Sequence, residues 1–242
     1  MTGDWLDFWN VSNATYINAR HKDVHYRLIA KDIAALVPSP QARVLDYGCG
    51  DALHAHVVAA ATAELVLCDA APRVRVRLAA RFDGSEGLEK NLRIRVLAPE
   101  EVEHLPNHSF DLIVLHSVIQ YLAMNETKAL FSLFHRLLQP DGLLIVGDVI
   151  LPHGRAWSDA LALLRLAAAN GFLMATVYGL VHLAFSDYRS LRGRLGLARY
   201  EEGEMMQMLS DAGFAPQRVG KNIGHDQARL AFVASPRKAG RF

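Results

Sequence analysis

Between Arg43 and Val149 short apolar runs alternate with stretches of helical periodicity. Arg43–Tyr47, Leu65–Asp69, Leu92–Leu97, Phe110–Leu115 and Leu143–Val149 read as five strands. An Ala-rich helix is expected from Ala52 to Ala61, another from Pro72, and a third running through Phe131 to Leu138. Gln139-Pro140-Asp141-Gly142 reads as a turn, because Pro fixes φ and Gly supplies a positive one. Upstream, Ile17, Val24, Leu28, Ile29, Ile33 and Leu36 recur at helical spacing over Tyr16–Val37, and Pro38 and Pro40 stop that helix. Downstream, a helix over Glu201–Ala212 precedes strands at Ala215–Val219 and Arg229–Ala234, one of which the short connection makes antiparallel.

Strands alternating with helices predict right-handed βαβ units, and near-continuous apolar strands predict a sheet covered on both faces. The expected architecture is α/β, a Rossmann-like, doubly wound, mostly parallel sheet. Residues 1–40 form an N-terminal helical cap on a domain at 41–242, with a helical insert at 152–200. That insert carries no formal charge from Leu166 to Ser186. Asn170-Gly171, Gly179 and His182 interrupt it, and both ends return to one sheet, so it is expected to be buried rather than to span a bilayer. Arg189, Arg192, Arg194 and Arg199 follow, and a basic stretch beside an apolar helix also suits contact with a membrane surface across 157–199.

Composition narrows the function classes. The chain has 242 residues, is 51% hydrophobic and 21% charged, and has a formal net charge of +1, which excludes a disordered chain. Without a clustered basic field, no nucleic-acid partner is expected. Two cysteines, Cys49 and Cys68, cannot build a disulfide framework. With no apolar leader at the start, the expected location is the cytoplasm.

Chemistry concentrates at Val44-Leu45-Asp46-Tyr47-Gly48-Cys49-Gly50-Asp51-Ala52, where a strand ends in glycines and a helix follows. There a doubly wound sheet places its ligand, and glycines let backbone approach it. The spacing is not Gly-x-Gly-x-x-Gly, and Asp51 at the helix mouth is expected to repel a phosphate. A cationic or zwitterionic nucleoside suits the site better. Asp69, about twenty residues on, can accept hydrogen bonds from both ribose hydroxyls, or else cap the helix at Pro72.

Together these segments resemble the class I S-adenosylmethionine-dependent methyltransferases. Val44–Gly50 is similar to their first motif and Cys68-Asp69-Ala70-Ala71-Pro72 to their ribose motif. Leu105-Pro106 with Ser109–Ile113 resembles the fourth-strand signature, and Leu138–Leu144 the leader of the fifth strand. The resemblance implies a seven-stranded sheet with one antiparallel strand and S-adenosyl-L-methionine as cofactor. It implies that Asp46 orients the methionine ammonium, that Gly48, Cys49 and Gly50 line the cofactor, and that Asp69 with Ala70 holds the ribose. It places Glu100 near adenine, His116 and Ser117 beneath the sulfonium, and Tyr16 or Arg20 at the methionine carboxylate.

Methyl transfer needs in-line positioning and water exclusion, and a base only when the acceptor must lose a proton. The candidates for that role are His116, His25 and Tyr121. No metal site is expected, since His54 and His56 stand two apart on a helix. The acceptor is expected to be a small hydrophobic or lipid-like molecule held by the insert through Trp157, Leu161, Leu164, Phe172, Met174, Tyr178, Leu180 and Phe185. The arginines after it would meet a carboxylate or phosphate. Three alternatives stand beside this reading: a nicotinamide-dependent oxidoreductase, a non-catalytic cofactor-binding or membrane-surface partner, and, for assembly, a homodimer.

Overall fold

A computed structural model of the chain describes residues 9–10, 16–82, 93–152, 156–183 and 196–237. The strands are β1 (Arg43–Tyr47), β2 (Glu64–Cys68), β3 (Ile94–Leu97), β4 (Phe110–His116), β5 (Leu138–Val149), β6 (Phe214–Val219) and β7 (Leu230–Pro236). They form one seven-stranded sheet in the order β3-β2-β1-β4-β5-β7-β6. β7 runs antiparallel to both β5 and β6, and the other pairings are parallel. The sheet is therefore the Rossmann-like one that the sequence predicts, with β7 as its antiparallel member.

The described helices are α1 (Ala19–Leu36), α2 (Ala55–Ala59), α3 (Pro72–Phe82), α4 (Pro99–Glu103), α5 (Met124–Leu137), α6 (Ala156–Asn170), α7 (Leu173–Leu183) and α8 (Glu202–Asp211), with a 3-10 turn at Ile119–Tyr121. Alternation along the strands splits the core between the two faces of the sheet. Leu45, Val66, Ile113, Leu115 and Val146 face Phe131, Phe134, Met205 and Leu209 of α5 and α8. Val44, Leu65, Leu67, Leu112 and Val114 face Ile33, Val58, Val74 and Leu78 of α1, α2 and α3. The C-terminal half of α1 thus belongs to the core, and only its first turns reach beyond it as a cap.

Three boundaries differ from expectation for local reasons. α1 begins at Ala19, because the Asn18 side chain accepts the His21 N–H at 2.8 Å and caps the helix there. α2 begins at Ala55 rather than Ala52, since Ala52 has φ +37° and still belongs to the turn. Gln139–Gly142 does not end a helix-to-strand turn; Leu138 already pairs with Phe110, and the four residues bulge out before Leu143 pairs with Leu112.

Phe134 is fully buried, with its ring centroid 5.2 Å from that of Tyr47. Phe134→Ala should lower unfolding stability by about 3–5 kcal/mol, the cost of a cavity at a packed aromatic. Urea denaturation checks this, and a loss below about 1 kcal/mol would mean that this face is loosely packed.

Candidate functional site

The turn after β1 is tied down by β2. Gly48 and Cys49 donate their N–H groups to the Cys68 carbonyl at 2.7 and 3.1 Å. Gly48 and Gly50 hold φ of +79° and +58°. A Cβ on Gly48 would lie 2.2 Å from Val118 Cγ2, and one on Gly50 would lie 2.5 Å from the Tyr26 hydroxyl. Both glycines are therefore required by backbone angle and by space. Asp69 accepts the Gly50 N–H at 2.9 Å and the Ala71 N–H at 2.8 Å, so one carboxylate fixes the ends of β1 and β2. The capping and ligand-holding readings of Asp69 do not compete, because a carboxylate has about four lone-pair sites and two are used here. Burial raises its pKa, opposed by those two N–H groups. Asp46 beside it is pushed up to about 7, first by desolvation and then by the charge on Asp69.

α1 lies across this turn. The Tyr26 hydroxyl accepts the Asp51 N–H at 2.9 Å. Asp51 is buried and ion-paired with Lys22 of α1 and with Arg77 of α3, the latter at 2.7 Å. Its charge is thus neutralised within the scaffold and holds the lid to the turn. It does not line the cavity, so the expected repulsion of a phosphate has no basis at Asp51. α1 also grips the connection between β6 and β7: Asp32 accepts the Gly224 N–H at 2.9 Å and pairs with Lys221.

At the ends of β4 and β5, Ser117 and Asp148 both adopt left-handed backbone, with φ of +58° and +61°. The Ser117 hydroxyl donates to Asp148 Oδ2 at 2.6 Å, while Asn222 Oδ1 accepts the Asp148 N–H at 2.9 Å. Arg229 lies 3.7 Å from Asp148 and 3.2 Å from Asp226. His116 Nδ1 is buried without a partner, and a Cβ on Gly147 would stand 2.7 Å from it. With Nδ1 sealed there, Nε2 is the nitrogen left to face a ligand. Desolvation lowers the His116 pKa, so the ring is neutral.

These poles border one cavity of about 1030 Å³, at the upper end of small-molecule pockets and large enough for two ligands side by side. Of the sequence-predicted residues, Asp46, Gly48, Cys49, Gly50, Asp69, Ala70, Glu100, His116, Ser117, Tyr16, His25 and Tyr121 all line it. Arg20 does not: its Nε points to the Asn170 carbonyl at 3.5 Å, on the outside of α1. Because α1 starts at Ala19, Tyr16 is not on the helix, and spacing along the chain does not align it with Arg20. From the insert, Leu163 lines the cavity and Phe172 stacks on His21 at 5.6 Å, whereas Met174 and Tyr178 are exposed and cannot be its walls. Arg189, Arg192, Arg194 and Phe185 lie outside the described residues, and Arg199 donates to the Pro152 carbonyl at 3.0 Å.

Several lining residues are not legible in sequence. His225 joins His25 and His21 with ring centroids 5.9 and 6.5 Å apart. Burial holds His25 well below the usual imidazole pKa and His21 at about 4. Gln120 is buried with an unpartnered Oε1 at the cavity edge. Among the described residues no group of three or more His, Cys, Asp and Glu is arranged to hold a metal.

A family described as "Methyltransferase domain" matches residues 45–144, the span that carries the glycine turn, Asp69 and His116. Among curated proteins none matches the chain. Solved methyltransferases share its fold at low identity. The N-methyltransferase NodS from Bradyrhizobium japonicum, in complex with S-adenosyl-L-homocysteine, is 16% identical, with a TM-score of 0.58 over 98% of this chain and 97% of that one. Magnesium protoporphyrin IX methyltransferase from Synechocystis, with bound S-adenosylmethionine, is 15% identical, with a TM-score of 0.57 over 97% and 90%. The 1,6-didemethyltoxoflavin-N1-methyltransferase from Burkholderia thailandensis is 19% identical, with a TM-score of 0.52 over 89% and 79%. The matched segment places its glycine turn, the Asp69 carboxylate and His116 around one opening, bordered also by α1 and by the 222–229 connection.

Two outcomes follow from the geometry of the turn. Gly48→Ala should cost about 1–3 kcal/mol in urea unfolding through its contact with Val118 and its positive φ, and wild-type stability would contradict the turn geometry. For Asp46, the folded pKa of about 7 stands above the unfolded 3.8. Its contribution is therefore intact below about pH 4 and lost as pH rises through about 7. Ligand-free Asp46→Asn should gain on wild type across that window, by on the order of a few kcal/mol. A difference independent of pH would show Asp46 to be ionised throughout.

Proposed function

We propose that the protein transfers a methyl group from S-adenosyl-L-methionine to a small acceptor, and that the two molecules share the one cavity. The observation that carries this is its continuity from the Gly48–Asp69 pole to the His116–His225 pole. At the first pole the backbone of Gly48 and Gly50 and the free lone pairs of Asp69 hold a nucleoside, with Ala70 and Glu100 bordering the base. Asp46 faces the ammonium. The sulfonium supplies an already activated methyl group, so the protein's part is alignment and exclusion of water.

The electrostatics support a cationic cofactor. Asp46, Asp69, Glu100, Glu103, Glu126, Asp148 and Asp226 line the cavity against a single described cation, Arg229, which two of those aspartates already engage. The same balance argues that the acceptor is uncharged rather than a carboxylate or phosphate. Its pole is walled by His21, His25, His116 and His225 and by Leu163 and Ile29, an aromatic and aliphatic surface with imidazole hydrogen-bonding groups. His116 Nε2 is the group we assign to take a proton from an acceptor that must lose one; His25 and Tyr121 shape the pocket. The sheet weighs against the oxidoreductase alternative, because the dinucleotide-binding order is 3-2-1-4-5-6, whereas here β7 is inserted antiparallel beside β5.

Binding the ammonium requires Asp46 as carboxylate, so affinity for S-adenosylmethionine should rise with pH up to about 7, by as much as about tenfold per unit, and release a proton. Calorimetry in buffers of different ionisation enthalpy measures both effects. Asp46→Asn should bind more weakly and without that slope. Wild-type affinity that does not change between about pH 5 and 7 would overturn the assignment of Asp46.

A further inference from the structure

Over residues 173–178, α7 turns its larger apolar side chains away from the core. Leu173, Met174, Val177 and Tyr178 are 41%, 81%, 47% and 69% exposed. At helical spacing these four positions share one arc, while Phe172 and Thr176 point inward and are buried. Isolated exposed apolar residues need no explanation, but a contiguous face marks a contact surface.

The surroundings of that face are basic. Arg20, Arg27 and Lys31 are exposed on a single stripe of α1, at i, i+7 and i+11. Val24, between the first two, is buried against Leu166, Ala167 and Phe172 at the corner where α6 passes into α7. Arg20 and Arg27 both reach Asn170 at that corner, at 3.5 and 3.3 Å. Arg165 is exposed on α6, and the described side chains of α6 and α7 include no carboxylate. The carboxylates of α1 are turned elsewhere: Asp23 pairs with His54 at 2.9 Å, and Asp32 is held by Lys221 and Gly224.

We infer that this face docks on an anionic lipid bilayer, with the α7 arc in the headgroup–acyl boundary and the α1 stripe against lipid phosphates. Apolar insertion beside clustered cations is the pattern that such surfaces select. A second copy of the chain fits less well, because a two-fold contact sets the same patch against itself and brings like charges together. Among the described residues no helix is long and apolar enough to cross a membrane. The face also lies one side chain from the cavity, since Phe172 at the start of α7 stacks on His21, which lines it. An apolar acceptor leaving the bilayer would therefore reach the histidine pole directly.

Co-sedimentation of the full chain with vesicles tests this, using equimolar phosphatidylglycerol and phosphatidylcholine against phosphatidylcholine alone. The expected result is binding to the anionic vesicles only, lost in high salt. Binding should also fall at least about tenfold for Arg27→Glu with Lys31→Glu, and likewise for Met174→Asp with Val177→Asp. Melting temperatures show whether each variant is folded; if one is not, the salt and lipid-charge dependence of the native chain decides. No binding, equal binding to neutral vesicles, or a solution dimer dissolved by Met174→Asp with Val177→Asp while vesicles stay unbound would each overturn the inference.

Discussion

Both oxygens of the Asp69 carboxylate are committed to backbone N–H groups, one on each side of the cleft, and the rest of the site depends on that tie. It draws the glycine turn after β1 against the end of β2, where a side chain on Gly48 or Gly50 has no room. α1 can then lie directly on the turn, Tyr26 meeting the Asp51 N–H and Lys22 meeting the Asp51 carboxylate. A carboxylate that organises backbone in this way cannot swing on ligand arrival. Its remaining lone pairs are pre-aimed, which is how a site gains affinity without ordering cost on binding.

Burial gives the two ends of the cavity different charge states. Near the turn, desolvation raises the pKa of both Asp46 and Asp69, and the Asp69 charge raises Asp46 further, so the empty site resists full ionisation and favours a cation that relieves it. At the other end, desolvation keeps His25 and His116 neutral, leaving imidazole lone pairs able to accept a proton. Arg229 does not break this pattern, since Asp148 and Asp226 hold it. Ser117 and Asp148 keep left-handed backbone at the junction of the two poles, where strain is tolerated because neighbouring strands over-determine it.

The strands and the first pole were legible because each rests on contiguous residues: an apolar run, a glycine turn, an acid at the end of the next strand. The second pole was not. Asp148, Asn222, His225 and Arg229 meet only because β7 enters antiparallel beside β5 and carries the 220–229 connection back over the cleft. No spacing in the chain encodes that meeting. Arg20 stands outside the cavity for a related reason: where Asn18 starts the helix decides which way each residue faces, and that start lies three residues later than the apolar spacing suggests. In the insert, hydrophobicity marked an interface but not its side, so Phe172 and Met174 looked alike although one is buried and the other open.

The central claim is that this cleft selects an adenosyl sulfonium over a dinucleotide. It is tested most directly by calorimetric titration of the purified chain with S-adenosylmethionine and, in parallel, with NADH. The account predicts saturable one-to-one binding of S-adenosylmethionine and none of NADH, with the signal abolished in Asp69→Ala. Binding of NADH in its place, or of neither molecule, would contradict it.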